Sequence, residues 1–342
     1  MEERSKLQFR YIFLNAPDGS YMSPRADGIN SIGLKDLESL KNVTVYPSHL
    51  IDLPYIAKLL FKLHNSGKIN KAINLPGKEL WFPKYYNFDI SQDEKVCFIC
   101  LNPHLSLAYM NYLQRSYPNA KFVKLHRDLL CHFHRRCPEW TEEALNNFFD
   151  LRLSYDEGDC EKYGLLFAPQ YASKIDLSNT KDENGPDFFF CGRAKDRLEK
   201  IQKLIILLQK HGYRCEAYIF EASKEEQRKI EGIVYLDHEI PYTEVLRKEI
   251  GAKHILDINQ GGASGVTLRV IESSMYRKKL ITDNESILES QYYDPGLMMI
   301  IDESLSIDFD ILDNWPDSDG EYDNRFSPIN LIRQIDNELS QL

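Results

Sequence analysis

Short apolar runs alternate along the whole chain with stretches whose apolar residues recur every three or four positions. In the first half the runs FRYIFLN (Phe9–Asn15), VTVYP, KVCFICLN, KFVKLH, FDLRLSY and GLLFAP read as strands. Between them, helical spacing is expected from Leu50 to His64, in PHLSLAYMNYLQRSYPNA as far as Pro118, and in EWTEEALNNFF, with Thr141 as N-cap. The second half alternates more cleanly. DFFFCG, RCEAYIF, KHILDI, KKLIT and LMMIID read as strands, and RAKDRLEKIQKLIILLQKHG, YTEVLRKEIGA and TLRVIESSMYR as helices, the first ending at Gly212. Strands alternating with helices predict parallel sheets covered by helices on both faces. The expected fold class is therefore α/β, with two doubly wound, Rossmann-like domains facing each other across a cleft. The turn-rich stretch from Gln170 to Pro186 is the expected linker, which sets boundaries at 1–170, 171–186 and 187–326. A capped helix follows over 327–342, with Ser327 as N-cap and Pro328 at its first position.

A length of 342 residues suits two cores. The apolar runs are too short for a membrane span, and MEERSKLQFR has no signal-peptide core, so a cytoplasmic protein is expected. Seven cysteines without framework spacing agree with a reducing compartment, and Cys97 and Cys100 fall inside a strand-like run. The net charge of −10 is uneven: residues 302–342 hold 2 Lys+Arg against 11 Asp+Glu, while residues 1–165 hold 21 against 20. This balance argues against nucleic acid as a partner. Neither acidic motif of the tail suits a metal. DSDGEYD places Trp315 at the first ligand position of a calcium loop, and DFD sits near a terminal surface segment.

In doubly wound sheets, ligands bind beyond the carboxyl ends of the strands. After DFFFC come Gly192, Arg193 and Lys195, a tight turn with two cations suited to an anion. After KHILDI comes the loop with Gly261, Gly262 and Gly265. There the backbone N–H groups of Ser264, Gly265, Val266 and Thr267 open a helix as a phosphate cradle does, and the Thr267 hydroxyl is a further donor. Arg269 and Glu272 follow three apart on that helix. They read either as a plain salt pair or as a site in which the carboxylate accepts ribose hydroxyls.

DFFFCGRAKDRLEKIQKLI, YTEVL and HILDINQGGASGVTLRVIESSMYRKKLITDN together resemble the donor domain of GT-B-type glycosyltransferases. The nearest likeness is to a bacterial group that builds capsules, O-antigens and lipopolysaccharides. DLRLSYDEGDCEKYGLLFAPQY resembles that group as well, and the likeness is strong over about Asp150–Asp302. It implies that Gly192, Arg193 and Lys195 contact the donor diphosphate, that Glu272 holds the ribose and that Tyr242 and Thr243 lie near the base. Many retaining relatives carry a second glutamate where this chain has Ser264. The implied substrates are a nucleotide sugar, foremost a UDP-sugar, and a glycan or lipid-linked glycan acceptor, with no metal or other cofactor. The resemblance also implies a terminal helix that crosses back to the first domain.

The chemistry asks for positive charge where the diphosphate leaves and for a general base near the acceptor hydroxyl. Base candidates in the first domain are Asp18, then His104 and Asp27; His126, Arg127 and Asp128 also follow a strand. The basic, partly apolar segment KLHRDLLCHFHRRC (Lys124–Cys137) reads either as a contact with the anionic inner face of the cell membrane or as a solvated surface. A GT-B-fold sugar-nucleotide epimerase and a non-catalytic nucleotide-sugar-binding module stand as alternatives to a transferase. A Rossmann dehydrogenase is disfavoured, because no G-x-G-x-x-G follows a first strand in either half.

Overall fold

The computed structural model describes residues 7–14, 32–45, 54–64, 66, 69, 73, 75–85, 88–91, 93–101, 106–177, 184–261, 265–316 and 320–342. They form two six-stranded sheets. In the first, β1 (Arg10–Leu14), β2 (Val43–Val45), β3 (Val96–Cys100), β4 (Lys121–His126), β5 (Leu151–Ser154) and β6 (Leu166–Phe167) lie in the order β2-β1-β3-β4-β5-β6. In the second, β7 (Phe188–Arg193), β8 (Cys215–Phe220), β9 (Ile233–Leu236), β10 (His254–Asp257), β11 (Lys279–Thr282) and β12 (Met298–Ile300) lie in the order β12-β11-β10-β7-β8-β9. All ten pairings are parallel. Around the first sheet lie α1 (Tyr55–His64), α2 (Leu107–Ser116), α3 (Leu130–Arg136), α4 (Glu142–Phe148) and α5 (Glu157–Tyr163). With the second go α6 (Leu198–Lys210), α7 (Tyr242–Gly251), α8 (Leu268–Tyr276) and α9 (Phe309–Asp313), and α10 (Pro328–Leu339) comes last.

Burial explains why these segments form these elements. β3 is buried at every position, as a central parallel strand covered on both faces must be. On α6, Leu198, Ile201, Leu204, Ile205 and Leu208 form one buried stripe, and Gly212 takes the left-handed φ of +88° that ends the run. Thr141, Thr267 and Ser327 each cap a helix, accepting from the N–H of Ala144, Val270 and Ile329.

The last helix lies on the first sheet. Leu331, Ile332, Ile335 and Leu339 of α10 share a core with Tyr11 and Phe13 of β1. Buried Asp336 accepts from the Tyr11 hydroxyl at 2.7 Å and from the Gln8 N–H at 2.9 Å.

Three sequence expectations change. β9 is a strand where the charged surroundings of IVYL gave no signal. Tyr171, Ala172, Ser173 and Leu177, within the expected polar linker, are buried, and Ala172 N–H donates to Phe326 O where the chain crosses back. The segment Lys124–Cys137 does not present an apolar surface. Leu130, Phe133 and Cys137 are buried because α3 turns its apolar face inward, and Lys124 at the end of β4 is buried as well. That removes the apolar half of the membrane contact expected there.

Candidate functional site

Strand order locates the site. In the second sheet the chain reverses direction between β7 and β10, and a crevice opens outside the carboxyl ends of strands at such a switch point. The loops that leave β7 and β10 carry the residues singled out in the sequence, and the structure ties the two loops together. Lys195 Nζ donates to Gln260 Oε1. Asp196 Oδ2 accepts from Gly261 N–H at 2.9 Å. Arg197 donates to Ile258 O and places its guanidinium over the Phe190 ring.

Gly192 leaves room for this closure. A Cβ there would sit 3.0 Å from Arg197 Nη2 and 3.2 Å from the Phe190 ring. Arg193 stands at the rim, half exposed, with Glu239 at 2.8 Å and Glu221 at 3.2 Å. Burial pushes the Arg197 guanidinium below its usual range, and the neighbouring Asp257 works against that shift. Arg197 was not singled out from sequence. Its one available signal was a position four residues after Arg193, on the first turn leading into α6.

The loop after β10 is built differently from its sequence reading. The Thr267 hydroxyl does not point its proton at a ligand: it donates to buried Asp257 Oδ2 at 2.7 Å, while its oxygen caps α8. Thr282 donates to the same carboxylate at 3.2 Å. Val266 is half buried and packs against apolar neighbours. Gly265 lies against the first domain: a Cβ there would be 2.8 Å from the Tyr155 ring. Gly262 and Ser264 lie outside the described residues.

Beneath these loops sits a buried charged cluster. Glu272 is fully buried. Its Oε1 accepts from the Tyr242 hydroxyl at 2.5 Å, and its Oε2 accepts from Arg269. Arg269 also donates to Cys191 O at 3.0 Å and lies 2.5 Å from Glu249 Oε1. Neither Glu249 oxygen makes a well-formed hydrogen bond among the described residues. Burial pushes the Glu249 carboxyl well above the usual carboxylate range; Arg269 opposes this, and Glu272 adds to it. Burial likewise heads the causes that push the Tyr242 hydroxyl up, ahead of Glu272. Each Glu272 oxygen therefore already accepts one hydrogen bond. With the side chain fully buried, a ribose contact there requires a neighbouring side chain to move aside. Thr243, on the first turn of α7, is half exposed.

Across the cleft the first domain presents the ends of β4 and β5. Arg127 lies over the Tyr171 ring at 4.4 Å. Asp128 is held by His132 Nδ1 at 3.2 Å and by Arg136. It also acts electrostatically on Lys195 of the other domain. His126 is buried and held well below its usual range, first by burial. Asp18 and Asp27 follow β1 in sequence and His104 follows β3; all three lie outside the described residues.

The fold is of the GT-B type. The Anabaena protein Alr3699/HepE, solved in complex with UDP-glucose, is 11% identical, with a TM-score of 0.56 over 97% of this chain and 99% of its own. The same protein with UDP and glucose, and with UDP alone, gives TM-scores of 0.56 and 0.55 at 12% identity, each over 98% of this chain and 100% of its own. No family model matches the chain. The search of curated proteins gives no match either. Among the described residues, no helix is long and apolar enough to cross a membrane.

Proposed function

We propose that the chain is a metal-independent glycosyltransferase that takes a sugar from a nucleotide donor, foremost a UDP-sugar. The acceptor is a glycan or lipid-linked glycan of a cell-surface polysaccharide, met at the cytoplasmic side. One observation carries the reading. Lys195 and Arg197 tie the β7 and β10 loops together at the switch point, Arg193 stands at the same strand end, and Asp128 of the other domain acts on Lys195. Three cations at that crevice suit a diphosphate that gains charge as it leaves. That HepE was solved with UDP-glucose supports the choice of donor class.

The base belongs to the first domain, and its switch point falls between β1 and β3. Asp18 and Asp27 follow one of those strands in sequence and His104 follows the other, which supports keeping all three as base candidates. Glu272 serves first as a positioning residue that holds Arg269 and Tyr242 beneath the donor. A ribose contact is a second role, open to it once a neighbouring side chain moves aside.

The test is calorimetric titration with UDP, GDP, CDP and dTDP without divalent metal. Tight binding of UDP, weakened by Arg193→Ala, is expected. No binding of any of the four to a folded sample would leave the fold with no donor role. Release of free nucleoside diphosphate from a UDP-sugar in the presence of acceptor separates a transferase from an epimerase or a binding module.

A further inference from the structure

Helix α1 shows its apolar face to solvent. Tyr55, Ile56, Leu59, Leu60 and Leu63 are exposed at 81, 71, 59, 52 and 55%. At about 100° per residue, all five fall within an arc of about 140°. Phe61 points the other way, into the core beside the Trp81 ring at 5.3 Å. His64 ties the helix end down, its Nδ1 accepting from Trp81 Nε1 at 3.0 Å. Leu80, next to Trp81, is 78% exposed and Ile73 is 67% exposed. Seven of the eleven large apolar side chains exposed among the described residues therefore lie between Tyr55 and Leu80. An ordinary soluble surface scatters such residues instead of gathering them.

Charge says what covers this face. Residues 54–86 carry six lysines and a single acidic residue, Glu79, in a chain of net charge −10. Lys58 and Lys62 flank the apolar arc on one side. A second copy of the chain docking here about a two-fold axis would set these lysines against each other. An anionic bilayer surface accepts both halves of the pattern: acyl chains take the apolar arc, lipid phosphates take the lysines and Tyr55 sits at the interface.

We propose that α1, with the segment around Leu80, lies in the plane of an anionic lipid surface and docks the first domain there. The inference does not depend on the donor reading, since docking is measured without any sugar nucleotide.

The experiment is co-sedimentation of the full chain with vesicles of phosphatidylcholine alone or with added phosphatidylglycerol. Binding only to the anionic vesicles, weakening as salt rises, is expected. Leu59→Glu with Leu63→Glu, and separately Lys58→Glu with Lys62→Glu, should each weaken it at least about tenfold. All four side chains are exposed or half-buried, and circular dichroism confirms that the variants fold. Failure of the parent to bind anionic vesicles, or variants that bind as the parent does, would overturn the proposal. So would a lipid-free dimer of the parent that the leucine variant splits, since a second copy would then own this face.

Discussion

Glu249 and Glu272 flank one arginine, and the same chemical change at each should give very unequal losses. Burial pushes the Glu249 carboxyl well above the usual range, which favours its protonated form. The charge on Arg269 is then balanced by the Glu272 carboxylate, which also accepts from Tyr242. Glutamine closely imitates a protonated carboxyl. Glu249→Gln should therefore cost less than about 1 kcal/mol. Glu272→Gln removes two charge-assisted bonds and strips a buried cation of its counter-charge, a loss of roughly 2–4 kcal/mol. For a domain of this size that lowers the melting temperature by roughly 5–15 °C, against less than about 4 °C for the Glu249 variant. Scanning calorimetry reads both.

The pH dependence gives a second, independent check. A carboxyl raised on folding adds stability that is fully present below its unfolded value and lost as pH rises through its folded one. Glutamine has no such loss, so Glu249→Gln should gain on the parent as pH rises above the unfolded carboxyl value of about 4.3. Equal costs for the two variants, or a gap that does not move with pH, would refute this assignment of the proton.

Other consequences are as direct. Arg193→Ala should weaken UDP by roughly tenfold and uridine hardly at all, measured by titration; equal losses would mean that Arg193 does not meet phosphate. Gly265→Ala drives a methyl into the Tyr155 ring and should cut turnover at least about tenfold with UDP affinity kept. Adding Tyr155→Ala should restore the domain approach, and no recovery would place the defect elsewhere. Burial holds His254 down to about 4, so its contribution is present above about 6.5 and lost as pH falls toward that value, up to about 3 kcal/mol. His254→Phe keeps the stack on Phe188 but has nothing to titrate, and an unchanged acid limb in that variant would discount the residue.

The sheets were legible because parallel strands buried on both faces must be apolar runs, and KVCFICLN and DFFFCG are just that. β9 was not, since IVYL is a short edge strand half open to water between charged neighbours. The helix caps at Thr141 and Ser327 were legible because capping is local. What the site residues bond to was not, because it is set by tertiary contacts. Nothing in GGASGVTL says that Gly265 meets Tyr155, or that the Thr267 proton goes to Asp257. Glu249 sits in a charged helical sequence that reads as surface. Arg269, from another helix, is what brings it inside. The basic letters of Lys124–Cys137 hid that Leu130 and Phe133, three apart, face the core. The apolar face that does reach solvent lies on α1, inside a stretch read from sequence as an ordinary helix.

The seat of α10 on β1 bears on how the chain is made. Leu331, Ile332 and Ile335 complete the core around Tyr11 and Phe13, so the first domain lacks part of its interior until these residues leave the ribosome. The second domain is contiguous and can close first. At about 5–20 residues per second, the half synthesised first waits roughly ten to thirty seconds with β1 uncovered. For that interval Tyr11 and Phe13 need another cover, and a chaperone that recognises apolar strands would meet them there.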